Sequence, residues 1–200
     1  MSFAGTPDPL VVRASSQPES DAAASGWAWA ALSAAVAGLA GSLYLSLGMN
    51  LKACPLCFYQ RTFMMSLVAV LGMGLLAGAA RPGRLPLLAL PLAIGGLGVA
   101  LFHVSLEVRG KLECPAGLLG LGTAPQQSLT IFVVLTGLLI VDLLHGSSTG
   151  SVPWVRLTAA VVLGALLAWS STIANPPSKP LPPEEYAKPP EVCRPPLKGQ

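Results

Sequence analysis

Five long apolar runs, separated by short polar breaks, set the pattern of this chain, with cores at residues 27–49, 63–79, 85–106, 129–144 and 157–173. A bilayer hydrocarbon core about 30 Å thick takes about 20 helical residues, and within it only helices or closed barrels satisfy the backbone. The runs are continuously apolar, so the pattern predicts an all-α membrane protein with five transmembrane helices. Residues 1–26 hold Ser, Pro, Ala and three acids, with Arg13 as the only base. That segment lacks the basic start of a cleavable signal and is expected to be a disordered cytoplasmic N-terminus, with the first helix kept as an anchor. Residues 27–174 then form the helical bundle with two external loops. Residues 175–200 carry nine of the 19 prolines and are predicted to be an extended, polyproline-like tail that forms neither helix nor packed core.

Composition agrees with that division. Mean hydropathy is +0.64, with 52% hydrophobic and 10% charged residues, which describes a chain whose main partner is the lipid bilayer. The net charge of +3 is spread without a basic run long enough to track a nucleic-acid backbone, so nucleic acid is excluded as a partner. Glycines within the spans (Gly74 and Gly78; Gly95, Gly96 and Gly98) are expected where helices approach closely.

With five alternating spans, all four cysteines fall on one side: Cys54 and Cys57 in the first loop, Cys114 in the third, Cys193 in the tail. Basic residues do not orient the bundle. Arg13, Arg81, Arg84 and Arg156 on one side balance Lys52, Arg61, Arg109 and Lys111 on the other. Disulfides persist outside the cytosol, so the cysteines are expected outside and the N-terminus inside.

Cys54-Pro55-Leu56-Cys57 is a C-x-x-C at the outer start of the second span, with Pro55 suited to a first helical turn. A helix N-terminus favours the thiolate, which is the species that exchanges disulfides. Arg61, four residues after Cys57, shares its face one turn deeper, where a guanidinium can steady a thiolate and donate to a carbonyl oxygen of a ring. A structural disulfide in so short a loop would be strained. A zinc site from all four cysteines lacks the paired spacing of zinc ribbons, so no metal is assigned.

The string Cys54-Pro-Leu-Cys-Phe-Tyr-Gln-Arg61, leading into a second span, resembles the disulfide-bond formation protein DsbB family, as does Phe102-His-Val-Ser-Leu-Glu107 before Cys114. The resemblance covers roughly residues 30 to 145. It implies a four-helix core, here with a fifth transmembrane helix added, in a bacterial inner membrane. It further implies an oxidoreductase that oxidises a periplasmic DsbA-like thioredoxin-fold carrier and reduces ubiquinone or menaquinone. Carried over by position, Cys54 and Cys57 are the quinone-coupled pair, Arg61 supports the quinone and Cys114 faces the carrier. Cys193 departs from the family, whose second pair usually lies wholly in the second external loop. Sidedness makes it the partner of Cys114, with a free or intermolecularly paired thiol as the alternative.

His103 and Glu107 share a face near the outer end of the third span and could relay protons to a reduced quinone, or form only an interfacial polar pair. Gln126 and Gln127 are expected to cap the fourth span, and Asp142 and His145 to lie solvated at its inner end. The competing function is a membrane scaffold with structural cysteines and a partner-recruiting proline-rich tail.

Overall fold

Each apolar run folds into one helix, because a backbone in hydrocarbon has no other local way to pair its amides. In a computed structural model, which describes residues 18–77, 84–146, 154–174 and 181–197, the helices are α1 (Pro18–Leu47), α2 (Pro55–Leu76), α3 (Arg84–Val108), α4 (Ala124–Gly146) and α5 (Trp154–Ile173). Each holds a stretch of 20 to 25 residues apolar enough to cross a membrane. The architecture is an all-α membrane bundle. Helix α1 touches α2 and α4, and α3 touches the same two, closing a four-helix ring; α5 lies against α3. Apolar side chains such as Leu88, Val133 and Trp169 stay exposed on the outside, as a lipid-facing surface requires.

Helix α3 is the centre because its buried stripe is made largely of small residues. Leu85, Ala89, Ala93, Gly96, Ala100 and His103 are all buried, at the three- and four-residue spacing of one helical face. A methyl group added at Gly96 would collide with the Phe132 ring of α4. One added at Gly164 of α5 would lie 2.7 Å from the Ile94 side chain and 2.9 Å from the Pro91 carbonyl oxygen of α3. Small residues therefore set both helix separations, by the packing that associates helices in lipid.

Two boundaries differ from the sequence expectation. Residues 18–26 are helical and extend α1 ahead of Trp27, since an Ala-rich stretch led by a proline at the first helical position favours a helix. Residues 1–17 and Gly78 lie outside the described residues. The tail differs more. Residues 183–187 form a 3-10 turn, Cys193 and Arg194 are buried, and Arg194 forms an isolated antiparallel bridge with Glu113. Its prolines forbid an α-helix, but they do not forbid packing through the charged and aromatic residues between them.

Candidate functional site

All four sulfurs meet at one end of the bundle. Cys54 is the N-cap of α2, in extended conformation, and its sulfur accepts the Cys57 amide at 3.3 Å, with Pro55 in the first turn as expected. The two thiols share a hydrogen bond with sulfurs 2.8 Å apart. That bond is the largest cause holding the Cys54 thiol down at about 5, against burial, which pushes it up; His103 and the Cys57 amide also lower it. Cys54 is buried and Cys57 half-buried.

Cys114, in the loop after α3, and Cys193, in the tail, are joined in a disulfide. This is the pairing that sidedness suggested. Several contacts hold it besides the covalent bond. The Glu113 and Arg194 backbones exchange hydrogen bonds of 2.8 and 3.0 Å. The Arg194 guanidinium meets the Glu113 carboxylate at 3.3 Å, donates to the carbonyls of Glu185 and Lys188, and lies over the Tyr186 ring. On the other side the Lys52 amide donates to Glu191 O at 2.8 Å, with an ion pair between their side chains.

His103 lies between the two pairs. Its ring is fully buried, with Nε2 3.9 Å from the Cys54 sulfur and 3.5 Å from that of Cys114, and Nδ1 3.4 Å from Gln60 Nε2. It is therefore no interfacial residue. Glu107, one turn away, turns aside and accepts the Thr123 hydroxyl at 2.9 Å, so the two do not act as a pair. Glu107, Glu113, Cys114, Tyr186 and Arg194 instead line an open cleft of about 700 Å³.

On the other flank, Cys57, Gln60, Arg61, Ser42, Ser46 and Pro115 surround a cavity of about 80 Å³. Arg61 is held there by α1: Nε donates to Ser42 Oγ at 3.0 Å, and Nη2 to Ser42 O at 2.9 Å and Ser46 Oγ at 2.6 Å. Sharing Ser42, Leu45, Ala124 and Ser128 with this cavity is an apolar groove of about 440 Å³, floored by Gly38 and Gly41 of α1 and Ile131 of α4. Neither His103 nor Glu107 lines the cavity. The donor set is of a kind that suits a quinone: a sulfur and a guanidinium border a small chamber, and an apolar trough adjoins it.

The remaining expectations divide. Gln127 braces the loop before α4 with bonds to Leu118 N, Leu118 O and Leu121 O, and Gln126 accepts the Thr123 amide at 3.4 Å, one half of a capping box. Asp142 is buried, at 2% exposure, with one oxygen lacking a hydrogen-bond partner among the described residues, in place of the solvated position expected. His145 is exposed and stacks near Trp27. Sequence reasoning missed Gln60, Ser42, Ser46 and Arg194. Ser42 and Ser46 stand four apart in an otherwise apolar span, a polar stripe facing one partner.

The sequence profile described as "Disulfide bond formation protein DsbB" matches residues 24–128. The chain is similar to a "Probable disulfide formation protein" of Chlamydia trachomatis, at 33% identity over 109 residues, 50% of this chain and 78% of the relative. A "Probable disulfide formation protein" of Deinococcus radiodurans is 40% identical over 79 residues, 40% of this chain and 49% of the relative. "Disulfide bond formation protein B 2" of Burkholderia lata is 32% identical over 89 residues, 43% of this chain and 52% of the relative. No solved structure matches the chain.

Proposed function

This chain belongs to the disulfide bond formation protein DsbB family, a membrane protein of disulfide formation, and from that premise we propose that it reoxidises a periplasmic DsbA-like dithiol carrier and passes the electrons to ubiquinone or menaquinone. The observation that carries the proposal is the position of Cys57. Its sulfur is 2.8 Å from that of Cys54 and it lines the Arg61 cavity, so one residue faces both the exchange chain and the chamber that suits a ring.

Cys114 lines the outer cleft, which supports its attack by a carrier thiolate. The new carrier–Cys114 bond forms as the Cys114–Cys193 bond breaks, and Cys193 leaves as a thiolate. The carrier's second thiolate then displaces Cys114, and the carrier departs oxidised. The sulfurs of Cys54, Cys57 and Cys193 and Nε2 of His103 lie within 4.8 Å of one another. Cys193 is thus within reach of an oxidised Cys54–Cys57 pair: it bonds to Cys54, Cys57 leaves, and Cys114 displaces Cys54 to restore the Cys114–Cys193 disulfide. Two electrons now rest on Cys54 and Cys57. A bound quinone supplies the two-electron oxidant that restores that pair. Cys54, whose thiol the Cys57 hydrogen bond shifts toward the thiolate, is the nucleophile that closes it. His103 Nε2, between both sulfur pairs, donates to whichever thiolate is present, and Arg61 holds a positive charge at the cavity wall.

In this reading the cysteines lie on the periplasmic side of a bacterial inner membrane and the N-terminus in the cytoplasm. The test is reconstitution of the full chain with a reduced carrier and quinone. Quinone reduction should follow carrier oxidation one for one, and Cys57→Ser should abolish it. Full turnover in that variant would overturn the reading in favour of a scaffold with structural cysteines.

A further inference from the structure

The cluster that exchanges disulfides has a second property, which belongs to its reduced state. Cys54 and Cys57 come from one helix turn, His103 from α3 and Cys193 from the tail, yet their three sulfurs and Nε2 lie within 4.8 Å of one another. Tetrahedral zinc, with sulfur at about 2.3 Å and nitrogen at about 2.0 Å, needs its ligand atoms about 3.5 to 3.8 Å apart. The separations here lie on either side of that value, from 2.8 Å between Cys54 and Cys57, through 3.9 Å between Cys54 and His103, to no more than 4.8 Å for any pair.

We infer that the fully reduced protein binds one thiophilic divalent cation, of the zinc class, through Cys54, Cys57, His103 and Cys193. Three thiolates and one imidazole form a soft, nitrogen-containing set of the kind that structural zinc sites use. An outer partner is also in place. Gln60 Nε2 lies 3.4 Å from His103 Nδ1, the arrangement that keeps the ring proton on Nε2 in the metal-free protein; on binding the cation the ring proton moves to Nδ1 and the Gln60 amide turns its oxygen to accept it, which leaves Nε2 free to ligate. Cys57 is only half-buried and lines a cavity at this end of the bundle, so the cluster is not sealed from outside. The sequence lacks zinc-ribbon spacing because the ligands are assembled from three separate segments.

The site depends on redox state. While Cys114 and Cys193 are bonded, the Cys193 sulfur carries no thiolate. A dithiol reductant supplies two electrons and two protons to break that bond and becomes a cyclic disulfide itself. The cation then displaces three thiol protons from Cys54, Cys57 and Cys193, apart from any already lost. With its sulfurs held by metal, the reduced protein cannot exchange disulfides, so the cation traps it.

The test uses the full chain in detergent, reduced with dithiothreitol, freed of reductant under argon and titrated with Co²⁺. A one-to-one complex with thiolate-to-cobalt absorption and tetrahedral visible bands is expected, bleached by Zn²⁺. Untreated, oxidised protein should show neither. His103→Ala and Cys193→Ser should each weaken binding at least tenfold, no less than loss of an outer-shell partner costs. Cys193→Ser changes one atom in the tail, so it decides the matter even where His103→Ala fails to fold. Absence of the charge-transfer band, or unchanged affinity in Cys193→Ser, overturns the site. No quinone or carrier is present, so this outcome is independent of the proposed turnover.

Discussion

Arg194 is buried, and its guanidinium meets the Glu113 carboxylate at 3.3 Å while their backbones pair in antiparallel fashion. Each residue is the sequence neighbour of a cysteine in the Cys114–Cys193 disulfide. The tail is thus clasped to the loop by noncovalent bonds as well as by the disulfide.

Arg194→Ala removes the ion pair and the bonds to Glu185 O and Lys188 O. Hydrogen bonds from a charged group contribute about 1.5 to 3 kcal/mol each when desolvated. Those two carbonyls belong to the tail, and the backbone pair with Glu113 remains, so the variant loosens the tail and removes its side-chain tie to the loop, and the Cys114–Cys193 disulfide should become about tenfold easier to reduce. Equilibration against glutathione buffers measures this. An unchanged equilibrium would mean that the disulfide alone holds the tail.

Cys54 supplies a pH test. Its thiol titrates at about 5, below the ordinary value of 9, chiefly because of the Cys57 hydrogen bond. A depressed pKa means that the thiolate persists above that value and is lost as pH falls through it. In reduced protein, alkylation at Cys54, followed by mass spectrometry, should be nearly flat from pH 8 to 6 and fall with a midpoint near 5. His103→Ala removes a lowering contribution, so the midpoint should rise. A midpoint at the ordinary thiol value in the parent protein would contradict the geometry.

Sidedness can be tested away from the buried sulfurs. Leu119, at the loop tip before α4, is 92% exposed, and Trp154, at the start of α5 and at the opposite end of the bundle, is 79% exposed. In intact cells an impermeant thiol reagent should modify Leu119→Cys, and should modify Trp154→Cys only after the membrane is breached. The reverse pattern would invert the proposed orientation.

Much of this arrangement was legible in the sequence, for specific reasons. Hydropathy gives position along the membrane normal, which put Cys54, Cys57, Cys114 and Cys193 at one end and made Cys193 the partner of Cys114. It says little about which way a side chain faces around a helix. His103 could therefore be read as an interfacial residue, although it is the buried junction between both sulfur pairs, and Asp142 as solvated, although it is buried in the bundle. Proline content excluded a helix in the tail but hid its packing, because Arg194, Tyr186 and Glu191 find partners in loops distant in sequence. Arg61 and Cys57 line one cavity; the anchorage of Arg61 by Ser42 and Ser46 needed the register of α1 against α2.

That anchorage sharpens what Arg61 does. Its Nε and Nη2 are committed to α1 through Ser42 Oγ, Ser42 O and Ser46 Oγ, whereas Nη1 has no hydrogen bond among the described residues, and the residue lines the cavity with Cys57. The planar fork thus does two jobs at once: one edge fixes the helix pair and the other leaves a donor at the chamber. Lysine keeps the charge but cannot span both. Loss of a charge-assisted hydrogen bond costs about 1.5 to 3 kcal/mol, so Arg61→Ala should raise the KM for quinone about ten- to a hundredfold. Arg61→Lys should fall between Ala and the parent. Ser42→Ala with Ser46→Ala should produce a smaller rise, since the guanidinium remains but is no longer held in place. The KM for the carrier should not move in any of them, because the cleft that exposes Cys114 shares no residue with this cavity. Steady-state kinetics against quinone concentration decide the matter. Unchanged quinone kinetics in Arg61→Ala would leave the guanidinium as a brace between α1 and α2 and nothing more.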